Sequence, residues 1–268
     1  MQGDLLLMAL GAGLVFAVGA YMLRFLTAAG ALAGGGLAAS LIGLGGWDWA
    51  VPALAFFVLS SLLSEVGKRR KASTEVLTEK GARRDIGQVL ANGGVGWALL
   101  LVYAFDPAPI WYWGFLGAFA AATADTWETE IGTLSSLKPR LVTTWKPVPK
   151  GTSGAVSVVG TLGGLLGALV IWGCAAVLAE GSETVASVAG AVAIAGGGLA
   201  ASLIDSLAGA TVQARYRDPV TGRETERTEG GHLVRGWRWF RNDAVNGLCT
   251  FSGAAIAMAC FRVADFAS

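Results

Sequence analysis

The chain has 268 residues, of which 54% are hydrophobic and only 15% charged, against about 25% charged in soluble domains. One histidine and three cysteines, each cysteine set in an apolar run, leave little for a histidine-cluster metal site, a serine–histidine–aspartate arrangement or a disulfide framework. The net charge of +1 says nothing as a total; its distribution along the chain says a great deal. The 39 glycines suit helices that pack closely within a bilayer. Cys174, Cys249 and Cys260 read as buried packing residues.

A helix that crosses a bilayer needs about 20 mostly apolar residues. Eight runs approach that length: 5–23, 27–44, 50–66, 86–105, 110–125, 154–179, 185–208 and 243–261. The expected fold is an all-α polytopic membrane protein, a bundle of about eight transmembrane helices with cytoplasmic polar loops. Residues 1–268 read as a single integral membrane domain. The first run lacks a basic leader and a clear cleavage site, and reads as a retained helix. The second is rich in glycine, which leaves open whether it spans fully or is broken or re-entrant. The fifth is short, so its end is expected to continue into a polar pocket.

Three polar segments remain, at 67–85, 127–153 and 209–242. With Arg24 they carry 19 of the 20 lysines and arginines, the exception being Arg262. Helix pairs separate these segments, which places them on one face. The opposite loops carry Asp48, Asp106, Glu180 and Glu183. The positive-inside rule assigns the basic face to the cytoplasm, and eight spans put both termini outside. Trp47, Trp49, Trp111, Tyr112 and Trp113 read as an interfacial belt at the outer ends. The decapeptide AGGGLAASLI occurs at 33–42 and again at 195–204. Convergence of alanine- and glycine-rich helix faces explains it more simply than an inverted repeat. His232 reads as a solvated loop residue, and Asp218-Pro219-Val220-Thr221-Gly222 as a turn between short extended arms.

Ionisable residues near membrane depth are costly and usually functional. The fifth run ends in Asp125-Thr126, the seventh in Asp205-Ser206, both on the basic face. The eighth begins there with Asn242, Asp243 and Asn246. Asp85, Gln88 and Asn92, at i, i+3 and i+7, form one polar stripe entering the membrane. Carboxylates and amide oxygens are hard ligands suited to Mg²⁺, which typically keeps several waters and bridges substrate phosphates. The second polar segment adds Arg140, Thr144, Lys146 and Lys150, then Gly151, Thr152, Ser153 and Gly154 opening the sixth helix. Free N–H groups at a helix N-terminus bind phosphate well. The Walker spacing is absent from the chain.

These residues resemble the transmembrane protein 19 family, also catalogued as domain of unknown function ninety-two. The resembling segments run from about Lys80 to Leu248. They include Gln88 to Gly94, Asp125-Thr126 with Glu130-Ile131-Gly132, Lys138-Pro139-Arg140 through Thr144, and Gly151 to Gly154. They continue with Asp205 to Gln213 and Asn242 to Asn246. The family includes phytyl-phosphate and polyprenyl-phosphate kinases. Ser153 stands where many members have asparagine, and Glu128 is an additional acid. On a helix Glu128 shares a face with Asp125 and Glu130 does not, whereas the resemblance favours Glu130. Both stay in the candidate metal set with Asp125 and Asp205, and the helix is expected to end or distort near Trp127.

The resemblance implies a membrane kinase that moves a phosphoryl group, with CTP the expected donor, onto a polyprenyl monophosphate such as phytyl or geranylgeranyl phosphate. Mg²⁺ is the implied cofactor. The catalytic set is then Asp125, Asp205, Asp243 and Lys146. The substrate- and nucleotide-binding set is Gln88, Asn92, Arg140, Thr144, Lys150, Gly151, Thr152, Ser153, Gly154, Ser206, Asn242 and Asn246. Expected partners are a nucleoside triphosphate, a prenyl monophosphate lipid and membrane lipid, with no nucleic acid. The rival reading is a secondary transporter with glycine-broken helices and an inverted repeat.

Overall fold

The computed structural model describes residues 2–71, 83–178, 183–219, 222, 224–226 and 231–267. Lys80, Arg223, Arg227 and Glu180, which entered the charge argument above, lie outside the described residues.

The chain folds as an all-α membrane bundle. Among the described residues, seven helical segments are long and apolar enough to cross a bilayer. The first is α1 (Gln2–Met22). The second is α2 (Ala28–Ser40), where Thr27 caps the N-terminus by accepting from Gly30 N at 3.2 Å. It does not break at its glycines. It runs on through one π-helical turn, Leu41–Gly45, and Gly46 at φ +72° turns the chain into α3 (Trp47–Lys71). Next is α4 (Ile86–Phe105), capped by Asp85, whose carboxylate accepts from Gln88 N at 2.9 Å.

A further long helix, α5 (Pro109–Leu134), opens with proline at its first turn, where no N–H is required. It is not among the seven candidate spans of the described residues, so seven stand where about eight were expected. It carries Asp125, Glu128 and Glu130 yet continues unbroken past Trp127, so the expected distortion there is absent. The acids face neighbouring helices that supply polar partners, which removes the reason for the helix to end.

Two residues, Arg140–Leu141 (β1), pair antiparallel with Ala155–Val156 (β2), ahead of α6 (Val158–Leu178). The seventh run is segmented. Short turns α7 (Glu183–Ala186) and α8 (Val188–Ala191) and a π-helical turn, Val192–Gly196, lead into α9 (Gly197–Thr211). The expected hairpin is present as β3 (Arg215–Arg217) against β4 (Glu224–Thr225), and β5 (His232–Arg235) pairs on the other side of β3. Arg235 fixes this sheet to the bundle by donating to the final carbonyls of α9, at Ala210 and at Gly209, the latter 3.3 Å away. The last helix is α10 (Asn242–Ala267).

α5 is the centre of the bundle, packed by α3, α4, α6, α9 and α10. Phe115, Leu116, Ala118, Ala120 and Ala121 on it are wholly buried. Close approach explains the glycine content. A Cβ on Gly117 of α5 would stand 2.6 Å from Ala257 Cβ, and one on Gly253 of α10 would stand 2.5 Å from Ala121 Cβ. Without a hydrophobic drive between helices in lipid, such contact is what holds them together. The outer-end aromatics are partly core rather than belt. Trp47 is exposed, but Trp49 and Trp113 are buried, Trp49 lying 4.6 Å from Phe115 and 4.9 Å from Tyr103 between ring centroids. The cysteines also divide: Cys249 is buried, Cys174 half-buried and Cys260 exposed on the outer surface of α10.

Candidate functional site

The polar ends of α4, α5, α9 and α10 meet at one end of the bundle, around a cavity of about 380 Å³. α4 supplies Gln88 and Asn92, α9 supplies Asp205 and Ser206, and α10 supplies Asn242 and Asn246. The second half of α5 supplies Asp125, Thr126, Glu128, Thr129 and Glu130, and the loop before α6 supplies Lys150 through Ala155. The helical spacing that put Gln88 and Asn92 on one stripe is what turns both inward; Asp85, the third member of that stripe, is spent as the cap of α4.

Asp125 and Asp205 are neighbours on the cavity wall, near enough for their charges to act on one another. Two carboxyls so close need a shared proton or a cation between them. Oδ2 of Asp205 and Oε1 of Gln88 are buried without a hydrogen-bond partner among the described residues. Buried polar oxygens are rarely left so, and here they are the acceptors that a hard cation with its waters takes. The residues present therefore fit Mg²⁺ at the Asp125–Asp205 pair.

The four-acid set expected from the sequence is split. Among the described residues no three acidic, histidine or cysteine side chains form a metal-binding group. Both oxygens of Glu128 accept from hydroxyls, Thr161 of α6 at 2.8 Å and Ser202 of α9 at 3.0 Å. Glu130, on another face of α5, accepts from Ser64 of α3 at 2.7 Å. Each thus ties α5 to a neighbouring helix.

The loop before α6 also departs from expectation. Gly151 and Gly154 adopt φ +79° and +78°, a left-handed backbone that favours glycine. A Cβ on Gly154 would stand 2.5 Å from Ala210 N, so the loop lies directly on α9. But Gly151-Thr152-Ser153-Gly154 does not open α6. β2 and Ser157 intervene, and Ser157 caps the helix by accepting from Gly160 N at 3.1 Å. Lys150 lines the cavity and donates to the last carbonyls of α5, at Thr133 (3.2 Å) and at Ser135, where a cation complements the helix dipole. Lys146, Arg140 and Thr144 do not line it. They are exposed on the β1 turn, where Arg140 Nη1 donates to Trp145 O at 2.7 Å and Thr144 Oγ1 accepts from Lys146 N at 3.4 Å. The turn reverses at Trp145 (φ +55°). Asp243, half-buried in the first turn of α10, is likewise off the cavity wall, although Asn242 and Asn246 beside it are on it.

Sequence reasoning missed several wall residues. Ser64 looked like one more residue of an apolar run. Ser153 donates to Gln213 Oε1, Gln213 Nε2 donates to Glu226 at 3.0 Å, and Glu226 pairs with Arg215 at 2.9 Å. This chain ties the glycine loop to the small sheet, and of its members only Ser153 and Gln213 lay within segments singled out above. Burial lowers the Arg215 guanidinium, while Glu226 opposes the shift. Arg84 was counted among the basic residues of the first loop; it lines this cavity and is lowered to about 10 by burial.

A second cavity, about 350 Å³ and almost wholly apolar, lies among α1, α2, α3 and α4. Leu37, Ile42, Phe56 and Phe57 are among its walls. Arg84, Gln88 and Asn92 line both cavities.

Fold and site together define a polytopic helical membrane protein with an acid-paired polar cavity at one end of its bundle. The chain belongs to the family described as integral membrane protein DUF92, whose model matches residues 11–254. It is 38% identical over 172 residues to an uncharacterized membrane protein of Methanocaldococcus jannaschii, covering 63% of this chain and 67% of that one. An uncharacterized membrane protein of Synechocystis is 30% identical over 216 residues, covering 80% and 74%. Protein VTE6, chloroplastic, of Arabidopsis thaliana is 27% identical over 209 residues, covering 76% of this chain and 56% of that one. No solved structure matches the chain.

Proposed function

We propose that this protein is a membrane kinase that transfers the terminal phosphoryl group of a nucleoside triphosphate, CTP in the first instance, to a polyprenyl monophosphate. The observation that carries this reading is the wall shared by the two cavities. Arg84, Gln88 and Asn92 face a polar, acid-lined space on one side and an apolar groove on the other. That is the environment of an amphiphile whose head reacts while its tail stays in hydrocarbon. The kinase reaction implied by the family resemblance asks for such an acceptor.

In the proposed reaction an oxygen of the acceptor phosphate bonds to the γ-phosphorus as the bond from that phosphorus to the β–γ bridging oxygen breaks. A prenyl diphosphate and a nucleoside diphosphate result. The acceptor oxygen is already ionised, so no strong base is required, and catalysis reduces to positioning and charge neutralisation. Bound Mg²⁺ would supply charge neutralisation at the donor phosphates. Asp125 and Asp205 would hold it, and the amide oxygen of Gln88 lines the same cavity. Lys150 and the Gly151–Gly154 loop border the same cavity and suit the donor phosphates. Asn242, Asn246, Thr152, Ser153 and Ser206 offer neutral hydrogen bonds around them.

The basic end of the bundle is assigned to the cytoplasm, where the nucleotide is, on the strength of the lysine and arginine distribution. With eight passes both termini then lie outside. Residues 1–268 act as one integral membrane domain. The test is incubation of the purified protein in lipid with CTP, ATP, GTP or UTP and a panel of prenyl monophosphates. Formation of prenyl diphosphate supports the reading; its absence across the panel with Mg²⁺ present refutes it.

A further inference from the structure

Arg84 stands at the join of the two cavities. Among the described residues its guanidinium has no ion pair and no side-chain hydrogen bond. Its neighbours are aromatic: the guanidinium carbon lies 5.4 Å from the ring centroid of Phe56 and 6.0 Å from that of Phe57. The backbone there is fixed, since Arg84 N donates to Phe25 O at 2.9 Å and Arg84 O accepts from Thr27 N at 3.0 Å. Ring faces offset only part of the cost of withdrawing a cation from water. A fixed, partly desolvated guanidinium beside open space is a site for an anion, and its planar fork of donors matches phosphate.

The groove on the far side of Arg84 selects among anions. Its other walls are almost all carbon, which excludes a nucleotide or a free phosphate from occupying its length. α1 packs along α2, and it meets α3 through the ring pair Phe16–Phe57, with centroids 4.7 Å apart, next to Arg84. We propose that Arg84 holds the phosphate of a single-chain lipid phosphate whose tail lies in the groove, entering along the seam between α1 and α3. This rests on reading the acceptor as a lipid phosphate, but not on phosphoryl transfer.

The test is a binding measurement on the full chain in nanodiscs without nucleotide, using geranylgeranyl monophosphate, geranylgeraniol and inorganic phosphate as probes. Wild type should prefer the monophosphate to the alcohol by about tenfold to a hundredfold, the loss expected when a charge-assisted contact is missing. Arg84→Gln should bind the two lipids alike, with affinity for the alcohol unchanged; Arg84→Lys should keep part of the preference, which separates lost charge from a damaged fold. Ala38→Phe, which adds a ring on the groove wall, should weaken both lipids and leave their ratio intact. Inorganic phosphate should not displace the lipid at equal concentration. The assignment is overturned if Arg84→Gln keeps the wild-type preference, if wild type has none, or if free phosphate competes equally. Unchanged binding of both lipids to Ala38→Phe would overturn the placing of the tail. A wild type that binds selectively but transfers no phosphoryl group would refute the kinase and leave Arg84 assigned. An active Arg84→Gln with unaltered KM for the lipid would do the reverse.

Discussion

The carboxyl groups of Asp125 and Asp205 are electrostatic neighbours on the wall of the polar cavity, although α5 and α9 deliver them separately. Each stands one residue before a hydroxyl side chain, Thr126 and Ser206, that also lines the cavity. If the pair holds Mg²⁺, its charge matters more than its shape. Asp125→Asn and Asp205→Asn should each lower turnover by about a hundredfold or more, and the double variant should lose little beyond the worse single one. Turnover against Mg²⁺ concentration, with thermal stability as the control, checks this. Near-normal turnover of either variant at low Mg²⁺ removes the pair from the site.

Glu128 and Glu130 are predicted to act on the fold. Glu128 joins α5 to α6 and α9 through Thr161 and Ser202, and hydrogen bonds between membrane helices contribute about 0.6 to 1.7 kcal/mol each. Glu128→Ala should therefore lower thermal stability measurably, while Glu128→Gln keeps most of the stability and most of the turnover. If Glu128→Gln behaves like Asp125→Asn, Glu128 belongs with the metal.

Lys150 replaces Lys146 as the basic residue of interest beside the glycine loop. Lys150→Ala should weaken nucleotide binding about tenfold and loosen the end of α5, whose carbonyls it contacts. Lys146, exposed on the β1 turn, should tolerate alanine with nucleotide affinity little altered. Titration of wild type and both variants with nucleotide in Mg²⁺ separates them; a larger loss for Lys146→Ala would reverse the assignment.

Gly154 should resist even alanine. A Cβ there meets Ala210 N at 2.5 Å from a backbone at φ +78°, and left-handed strain alone costs about 1 to 3 kcal/mol. Gly154→Ala should lower the melting temperature and displace the loop from α9, with nucleotide affinity falling alongside. Wild-type stability in that variant would mean that the loop is not seated as described.

A cytoplasmic basic face can be tested by single cysteines at Lys146, Arg217 and Arg238, placed in a background without native cysteines. All three should react with impermeant reagent only after the membrane is opened. Reaction of any one from outside intact cells contradicts a cytoplasmic basic face.

What was legible in the sequence was what periodicity and charge carry. Long apolar runs placed the helices, and Asp125, Asp205, Asn242 and Asn246 stood out because polar side chains at apolar helix ends need a reason. The turn around Asp218 and Gly222 was visible from its residue types. Other features depend on neighbours that no local pattern announces. Arg84 has the same charge as Arg83 beside it, and only the rings of Phe56 and Phe57 mark it out. Lys146 and Lys150 are both lysines of one short loop, and only the folded path of that loop puts Lys150 on the cavity wall and leaves Lys146 exposed. Helical spacing correctly put Glu128 and Glu130 on different faces of α5. It could not show that Thr161, Ser202 and Ser64 would engage them, because those partners come from three other helices. Trp49 and Trp113 looked interfacial by position, and burial against Phe115 and Phe261 made them core.

The central claim is phosphoryl transfer to a lipid phosphate, and the most direct measurement follows the phosphorus itself. Protein reconstituted in lipid is given CTP labelled at the γ-phosphate and unlabelled geranylgeranyl monophosphate, and the lipid product is isolated and degraded stepwise. The account predicts a lipid diphosphate with the label in its terminal phosphate, formed by wild type and not by Asp205→Asn. Label remaining in nucleotide or released as inorganic phosphate, with no label in lipid for CTP or any other triphosphate, would contradict it.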